Sequence, residues 1–145
     1  YDSTVFVLIA DHGHTTPKNS PYDSREHFHI PLLICGGALK NEFKGKKNYT
    51  LASQLDLAST ILHQLGCSAG EYKWSKNLMN PYSNHFAFYA FNDGFGYDEP
   101  NAQIIWNKKE PPMSVNTGQT PQQKDSLYKK GAALMQLLMN DYMRQ

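Results

Sequence analysis

The chain has 145 residues, with 14 Lys and Arg against 13 Asp and Glu, so its net charge is +1. This balance, without a basic run, excludes the electrostatic footprint of a nucleic-acid-binding protein. The length corresponds to one domain at most, and no apolar run approaches the roughly 20 residues that span a membrane. Because the chain starts at Tyr1 and carries no signal peptide, we expect a fragment whose targeting segments lie elsewhere.

The first predicted element is a strand at about Thr4–Ala10. Its unbroken apolar run is typical of a strand buried on both faces of a parallel sheet. Asp11, His12 and Gly13 follow at its carboxyl end, where open α/β sheets place ligand-handling residues. A carboxylate oxygen beside an imidazole nitrogen indicates half of a divalent-metal site. The spacing alone also fits an N-capping Asp followed by a structural His.

Two further elements complete the first half. A polar loop leads from His14 to a second strand, Ile30–Cys35, which we expect in the same sheet as the first strand. A helix is predicted at about Leu51–Leu65, because its apolar residues recur on one face. Thr50 is the expected N-cap, and Gly66 is the expected stop.

The second half is richer in aromatic residues. Phe86–Asn92 and Ala102–Asn107 predict an antiparallel hairpin joined through a turn at Gly94 and Gly96. A loop is expected at Asn107–Gln123. The last segment, about Lys124–Met143, has one apolar stripe and predicts an amphipathic helix that packs on the sheet, with Gly131 permitting close approach.

Three segments recur in an order that resembles a known family. They are Asp11–Gly13, His29–Ile34 and Ser53–Gly66. Together they resemble the alkaline phosphatase superfamily, within it the sulfatase branch with lipoteichoic-acid synthase-like and phosphoethanolamine transferases. The resemblance implies an α/β fold: the C-terminal portion of an alkaline-phosphatase-like sandwich, with a largely parallel sheet, flanking helices and an antiparallel aromatic edge hairpin. Residues 1–145 would be a single domain, a fragment of a larger catalytic domain.

The resemblance also implies a metal centre. Asp11 and His12 would be ligands of a divalent metal, whether manganese, zinc, calcium or magnesium. An acidic residue and a Thr nucleophile from an earlier part of the family's chain would complete the site. No residue of this chain stands in the nucleophile's context, so we expect the isolated chain to be inactive. Its partner would be the N-terminal half of the same catalytic domain, and the substrate a sulfuric or phosphoric ester.

Three basic residues are candidates for binding that anionic substrate. His14 lies two residues beyond His12, and substrate contact, metal ligation and simple exposure all stay open for it. Arg25 has the guanidinium geometry that suits phosphate and sulfate oxygens, although a solvated Arg is an equal interpretation. His29 would lie at the edge of the site or bond the backbone in the interior. His27 is expected to be exposed.

Two other expectations bear on function. A carboxylate at Asp56 would be costly to bury unpaired, and the resemblance implies that it is a structural acid that ties the helix to the preceding loop. The family's usual setting implies an extracytoplasmic, periplasmic or cell-surface domain of a membrane-anchored bacterial protein. The alternative function is a non-catalytic structural or interaction module, in which His12, His14, His27 and His29 bind a structural zinc or nothing.

Overall fold

The chain is α/β, and its contacts divide it into two compact units, residues 1–49 and 50–145. A computed structural model describes residues 1–16, 19–113 and 119–144, and for residues 110–113 the backbone only. The single domain expected from the sequence therefore stays a prediction. The first unit holds β1 (Phe6–Ile9), α1 (Arg25–Phe28), β2 (Leu32–Cys35) and a short 3-10 turn (Asn41–Phe43). The second unit holds α2 (Asp56–Gln64), β3 (Ala87–Phe91), β4 (Gly94–Glu99), β5 (Ala102–Asn107), β6 (Glu110–Met113) and α3 (Pro121–Tyr142).

The two apolar strands of the first unit pair with each other, as expected, but antiparallel. Phe6 lies opposite Cys35, and Leu8 lies opposite Leu33. The predicted largely parallel sheet is thus wrong, because every strand pair in the described part of the chain is antiparallel. The prediction of burial on both faces is wrong as well, because Phe6, Leu8 and Leu33 are 46%, 55% and 56% exposed. An apolar run indicates that both faces of a strand need cover, but it carries no information on the direction of the neighbouring strand.

A one-turn helix, α1, lies within the stretch predicted to be a loop. Ser24 caps it, since its hydroxyl accepts a hydrogen bond from the His27 backbone N–H at 3.3 Å. The carbonyl of His27 approaches Gly13 so closely that a Cβ there would lie 1.6 Å from the oxygen. Gly13 is therefore required by this close approach, which brings the backbone after β1 directly against α1.

Helix α2 is shorter than the predicted Leu51–Leu65 and begins at Asp56. Its N-cap is Leu55, so the prediction of Thr50 in that role is wrong. A turn precedes the helix instead, in which the Asp56 backbone N–H donates to the Ser53 carbonyl at 3.0 Å. The C-terminal stop is confirmed, since Gly66 has a left-handed φ of 71° directly after the last turn.

The aromatic segments form a four-stranded antiparallel sheet in the order β3-β4-β5-β6. The predicted hairpin partners are not neighbours, because β4 lies between them and contains the glycines that we expected in the turn. Those glycines serve close packing. A Cβ on Gly96 would lie 1.9 Å from the Tyr89 ring, and one on Gly94 would lie 2.9 Å from the Phe91 ring. The chain turns at Asn92 and Asp93.

Helix α3 confirms the predicted amphipathic C-terminal helix. Thr120 and Gln123 form a capping box, so the helix begins within the predicted loop Asn107–Gln123. The remainder of that loop contains β6, and residues 114–118 lie outside the described part. The helix packs on β4 and β5, where Gly131 faces the ring of Phe95. The buried core consists of Phe95, Tyr97, Ile104 and Leu127.

Candidate functional site

Two potential metal ligands stand side by side after β1. Asp11 and His12 follow the strand with one residue between, and their side chains are 89% and 76% exposed. Asp11 Oδ2 lies 3.7 Å from His12 Nε2. Two ligand atoms that share a cation at about 2.0–2.2 Å lie roughly 3–3.5 Å from each other. The pair therefore fits one divalent ion after only a small adjustment.

The hydrogen bond of the His12 ring determines which nitrogen can bind a metal. Its Nδ1 lies 2.7 Å from the Gly13 carbonyl oxygen. Because a carbonyl only accepts, Nδ1 must carry the proton, and the lone pair of the neutral ring is on Nε2. This is the nitrogen that faces the Asp11 carboxylate. A second hydrogen bond holds Asp11, whose Oδ1 accepts the His12 backbone N–H at 3.0 Å. The donor set and its orientation suit a metal, as carbonyl-bound ligating histidines generally do.

His14 has the opposite arrangement. Its Nδ1 accepts the backbone N–H of Thr16 at 3.1 Å and lies 2.8 Å from the Thr16 hydroxyl oxygen. The ring is exposed. Thr16 was not among the candidate residues, although a polar residue two positions after a histidine in a turn is a signal that could have singled it out.

The basic residues around α1 differ in their surroundings. Arg25 opens α1 and His29 follows it, and both are exposed. The interior alternative for His29 is therefore wrong. His27, which we expected to be exposed, is half-buried, and its ring packs edge-on against Phe28 with the centroids 5.1 Å apart. Within the described chain no hydrogen-bond partner reaches the buried Nδ1 of His27.

The four histidines of the zinc alternative do not come together. Among the described residues there is no group of three or more His, Cys, Asp or Glu that could hold a metal ion. A structural zinc requires a closed set of four ligands, which this part of the chain does not assemble. Among the described residues, the Asp11–His12 pair therefore has no third His, Cys, Asp or Glu grouped with it.

Asp56 confirms its predicted structural role in the second unit. The carboxylate is fully buried and accepts the backbone N–H groups of Ser53 and Lys76, each at 2.9 Å. It also pairs with the Lys76 ammonium at 2.9 Å. That ammonium lies 3.7 Å from the centroid of the Phe86 ring. Asp56 therefore connects three segments: its own helix, the turn at Ser53 and the turn at Lys76.

A second carboxylate anchors the end of α3. Asp141 accepts hydrogen bonds from the Lys73 ammonium and, at 2.9 Å, from the Trp74 indole N–H. These bonds lower the pKa of Asp141, with the Lys73 bond contributing most. The Trp74–Asn77 turn is thus held by Asp56 through the Lys76 backbone N–H and by Asp141 through the Trp74 indole.

The comparison with protein families matches residues 1–67 to the family described as Sulfatase. This range includes β1, the Asp11–His12 pair, α1, β2 and α2. Residues 1–67 are similar to sulfatases. The match does not distinguish the branch of lipoteichoic-acid synthases and phosphoethanolamine transferases from other sulfatases. Among curated proteins, none matches the chain.

A solved structure is similar in fold to nearly the whole chain. It is the crystal structure of a protein in the alkaline phosphatase superfamily from Vibrio parahaemolyticus, with a TM-score of 0.64 and 18% sequence identity. The alignment covers 97% of this chain and 36% of that protein. The expected C-terminal portion of an alkaline-phosphatase-like fold is confirmed, and the chain spans about a third of its structural relative. None of the described helices is long and apolar enough to cross a membrane.

Proposed function

We propose that this chain supplies half of the metal centre of a hydrolase or transferase that acts on sulfuric or phosphoric esters. The observation that carries the proposal is the Asp11–His12 pair at the end of β1, with Nε2 and Oδ2 3.7 Å apart and the ring orientation set by Gly13. The sulfatase match over residues 1–67 supports it, because that range contains the pair. Within the superfamily we favour the lipoteichoic-acid synthase or phosphoethanolamine transferase branch.

Asp11 and His12 would hold the ion, whether manganese, zinc, calcium or magnesium. When bound, such an ion neutralises charge on the transferring group and lowers the pKa of an attacking hydroxyl. The chain's own residues do the rest. The Gly13 carbonyl keeps His12 in the tautomer that presents Nε2, and the Asp11 carboxylate lies next to it. His14, Arg25 and His29 would bind the anionic ester with N–H donors, which suit its oxygens.

The nucleophile and the remaining ligands would come from another part of the same catalytic domain, which we propose as the partner. The exposed face of Phe6, Leu8 and Leu33 supports this, because a two-stranded sheet is at best marginally stable in water. An apolar patch of this kind marks a contact surface. The relative from Vibrio parahaemolyticus is nearly three times as long, so a protein of this fold has enough chain to cover it. In the cell, we expect an extracytoplasmic domain of a membrane-anchored bacterial protein.

Calorimetric titration with manganese and zinc tests the proposal. Two ligands form an open site, so we expect weak binding by this chain, which Asp11→Ala eliminates and Glu42→Ala, at an exposed acid of the 3-10 turn, leaves unchanged. The isolated chain should hydrolyse p-nitrophenyl phosphate and sulfate only at background rates. In the intact protein, Asp11→Ala should abolish turnover and leave the metal-free melting temperature unchanged. Sub-micromolar zinc binding with unfolding on chelation would contradict the proposal and favour a structural zinc.

A further inference from the structure

The loop after β1 contains a second histidine, His14, whose ring is also held by hydrogen bonds at Nδ1. In His12 this nitrogen donates, whereas in His14 it accepts. His14 Nδ1 receives the Thr16 backbone N–H at 3.1 Å, and the Thr16 hydroxyl oxygen lies 2.8 Å from the same nitrogen. Both contacts come from one residue, and together they fix the ring relative to the backbone of the loop. The two histidines are thus neighbours with opposite hydrogen-bonding roles.

These contacts determine where the proton of the neutral His14 ring lies. A backbone N–H can only donate, so Nδ1 must accept and must carry the lone pair. The proton of the neutral imidazole is then on Nε2. A protonated Nε2 has no lone pair to offer a metal, but it is a good donor to an anionic oxygen. His12 is the reverse, since its Nδ1 donates to Gly13 and its Nε2 keeps the lone pair.

We infer that Thr16 is a positioning residue that holds His14 as an Nε2–H donor to an oxygen of a tetrahedral oxyanion, the phosphate or sulfate group of the substrate. The inference rests on the proposed function for the identity of that substrate, but the state of the His14 ring does not depend on it. It also separates two roles that the sequence leaves open for His14, substrate contact and metal ligation, in favour of substrate contact.

The Thr16 hydroxyl can be removed with almost no change in the shape of the side chain. Thr16→Val keeps the branched side chain and the backbone N–H but loses the O–H, whereas Thr16→Ser keeps the hydroxyl. Thr15→Val is a matched control, because it makes the same change at a neighbouring residue that does not bond His14. A merely structural threonine would not respond in this pattern.

The first measurement is the nitrogen-15 NMR spectrum of the intact protein labelled at histidine, with His14 assigned by its loss in His14→Gln. We expect an unprotonated Nδ1 and a protonated Nε2 in the wild type, in Thr16→Ser and in Thr15→Val. Thr16→Val should shift both signals only part of the way toward the average of the two tautomers, because it removes the hydroxyl and keeps the backbone N–H. A protonated Nδ1 in the neutral wild-type ring would overturn the inference. This spectrum needs neither metal nor substrate, so failure here differs from failure of the metal titration.

The second measurement is the affinity of the intact, metal-loaded protein for inorganic phosphate and sulfate. We expect Thr16→Val to weaken binding about fivefold, the factor that one neutral hydrogen bond contributes. Thr16→Ser should restore the affinity to within about twofold of the wild type, on the same scale. With an ester substrate the loss should appear in KM and leave kcat unchanged, as for a contact that is equal in ground and transition states. Equal affinities in Thr16→Val and wild type, or no binding of either anion by the wild type, would overturn the inference.

Discussion

The two units of the chain differ in how they are stabilised. In residues 50–145 a four-stranded sheet and a 22-residue helix enclose a core in which Ile104 is 1% exposed and Phe95 is 3% exposed. In residues 1–49 the two strands are just as apolar, but Leu8 and Leu33 are more than half exposed. The unit that contains the candidate metal ligands is therefore the one with the less complete core. The candidate metal ligands and the well-packed core are located in different units of this chain.

Because the two units differ in packing, mutations should affect their stability differently. The second unit has a core and a compensated buried ion pair, so substitutions there should lower its free energy of unfolding. The first unit should tolerate apolar-to-small changes in isolation and become sensitive only when the rest of the catalytic domain covers it. Three experiments test this contrast between the two units.

The largest effect is expected from Asp56→Ala in the second unit. It removes a fully buried carboxylate and leaves the Lys76 ammonium and two backbone N–H groups without their acceptor. We expect a loss of about 3–5 kcal/mol in the free energy of unfolding, because breaking a buried pair leaves an uncompensated charge. Urea denaturation measures it. The control is Asp125→Ala, which removes an exposed ion pair with Lys129 on α3 and should cost at most about 0.5 kcal/mol. Similar losses for the two variants would refute the structural role of Asp56.

The second experiment compares one apolar truncation in each unit. Ile104→Ala should cost about 2–5 kcal/mol, because the residue is buried and leaves a cavity. Leu8→Ala should cost less than about 1 kcal/mol in this chain, since its side chain already contacts water. In the intact protein Leu8→Ala should approach the cost of Ile104→Ala. If Leu8→Ala stays neutral there, the exposed face is not covered by the rest of the domain.

The third experiment uses pH to probe the second unit. Burial, followed by the nearby Glu99 carboxylate, raises the pKa of Tyr97 from 10 to about 12. The folded state therefore holds this proton more tightly than the unfolded state does. Stability from this group is complete below pH 10 and is lost as the pH rises from 10 to 12, by roughly 3 kcal/mol. Tyr97→Phe should remove this part of the alkaline destabilisation, and Tyr82→Phe, at a residue that is 92% exposed, should not. Superimposable pH profiles for wild type and Tyr97→Phe would contradict the assignment.

The elements that could be predicted from the sequence are those with a strong local signal. The run before Asp11 predicts β1, and the apolar stripe with Gly131 predicts α3, because both patterns follow from the geometry of one segment. The pairing direction of β2 and the place of Gly94 and Gly96 depend on neighbouring segments. Glycines that make room for the rings of Tyr89 and Phe91 look the same in sequence as glycines that make a turn.

The same limit applies to the candidate site. The closeness of the Asp11 and His12 side chains could be predicted, because the residues are adjacent in the sequence, and their role as metal ligands stays a prediction. The exposure of His27 was predicted wrongly, since its burial follows from the one-turn helix that Ser24 caps. The role of Thr16 depends on which nitrogen of His14 it meets, and no pattern of residue types specifies that atom.

The contact between Gly13 and the His27 carbonyl has a consequence for how the protein can vary. It brings position 13 directly against position 27, so the chain between these two positions is closed at its base. The entropy cost of closing such a loop rises only slowly with its length, by about 0.6 kcal/mol for each doubling. Insertions in the middle of the segment should therefore leave Asp11 and His12 in place. Position 13 itself is limited to glycine, because a Cβ there would collide with the His27 carbonyl.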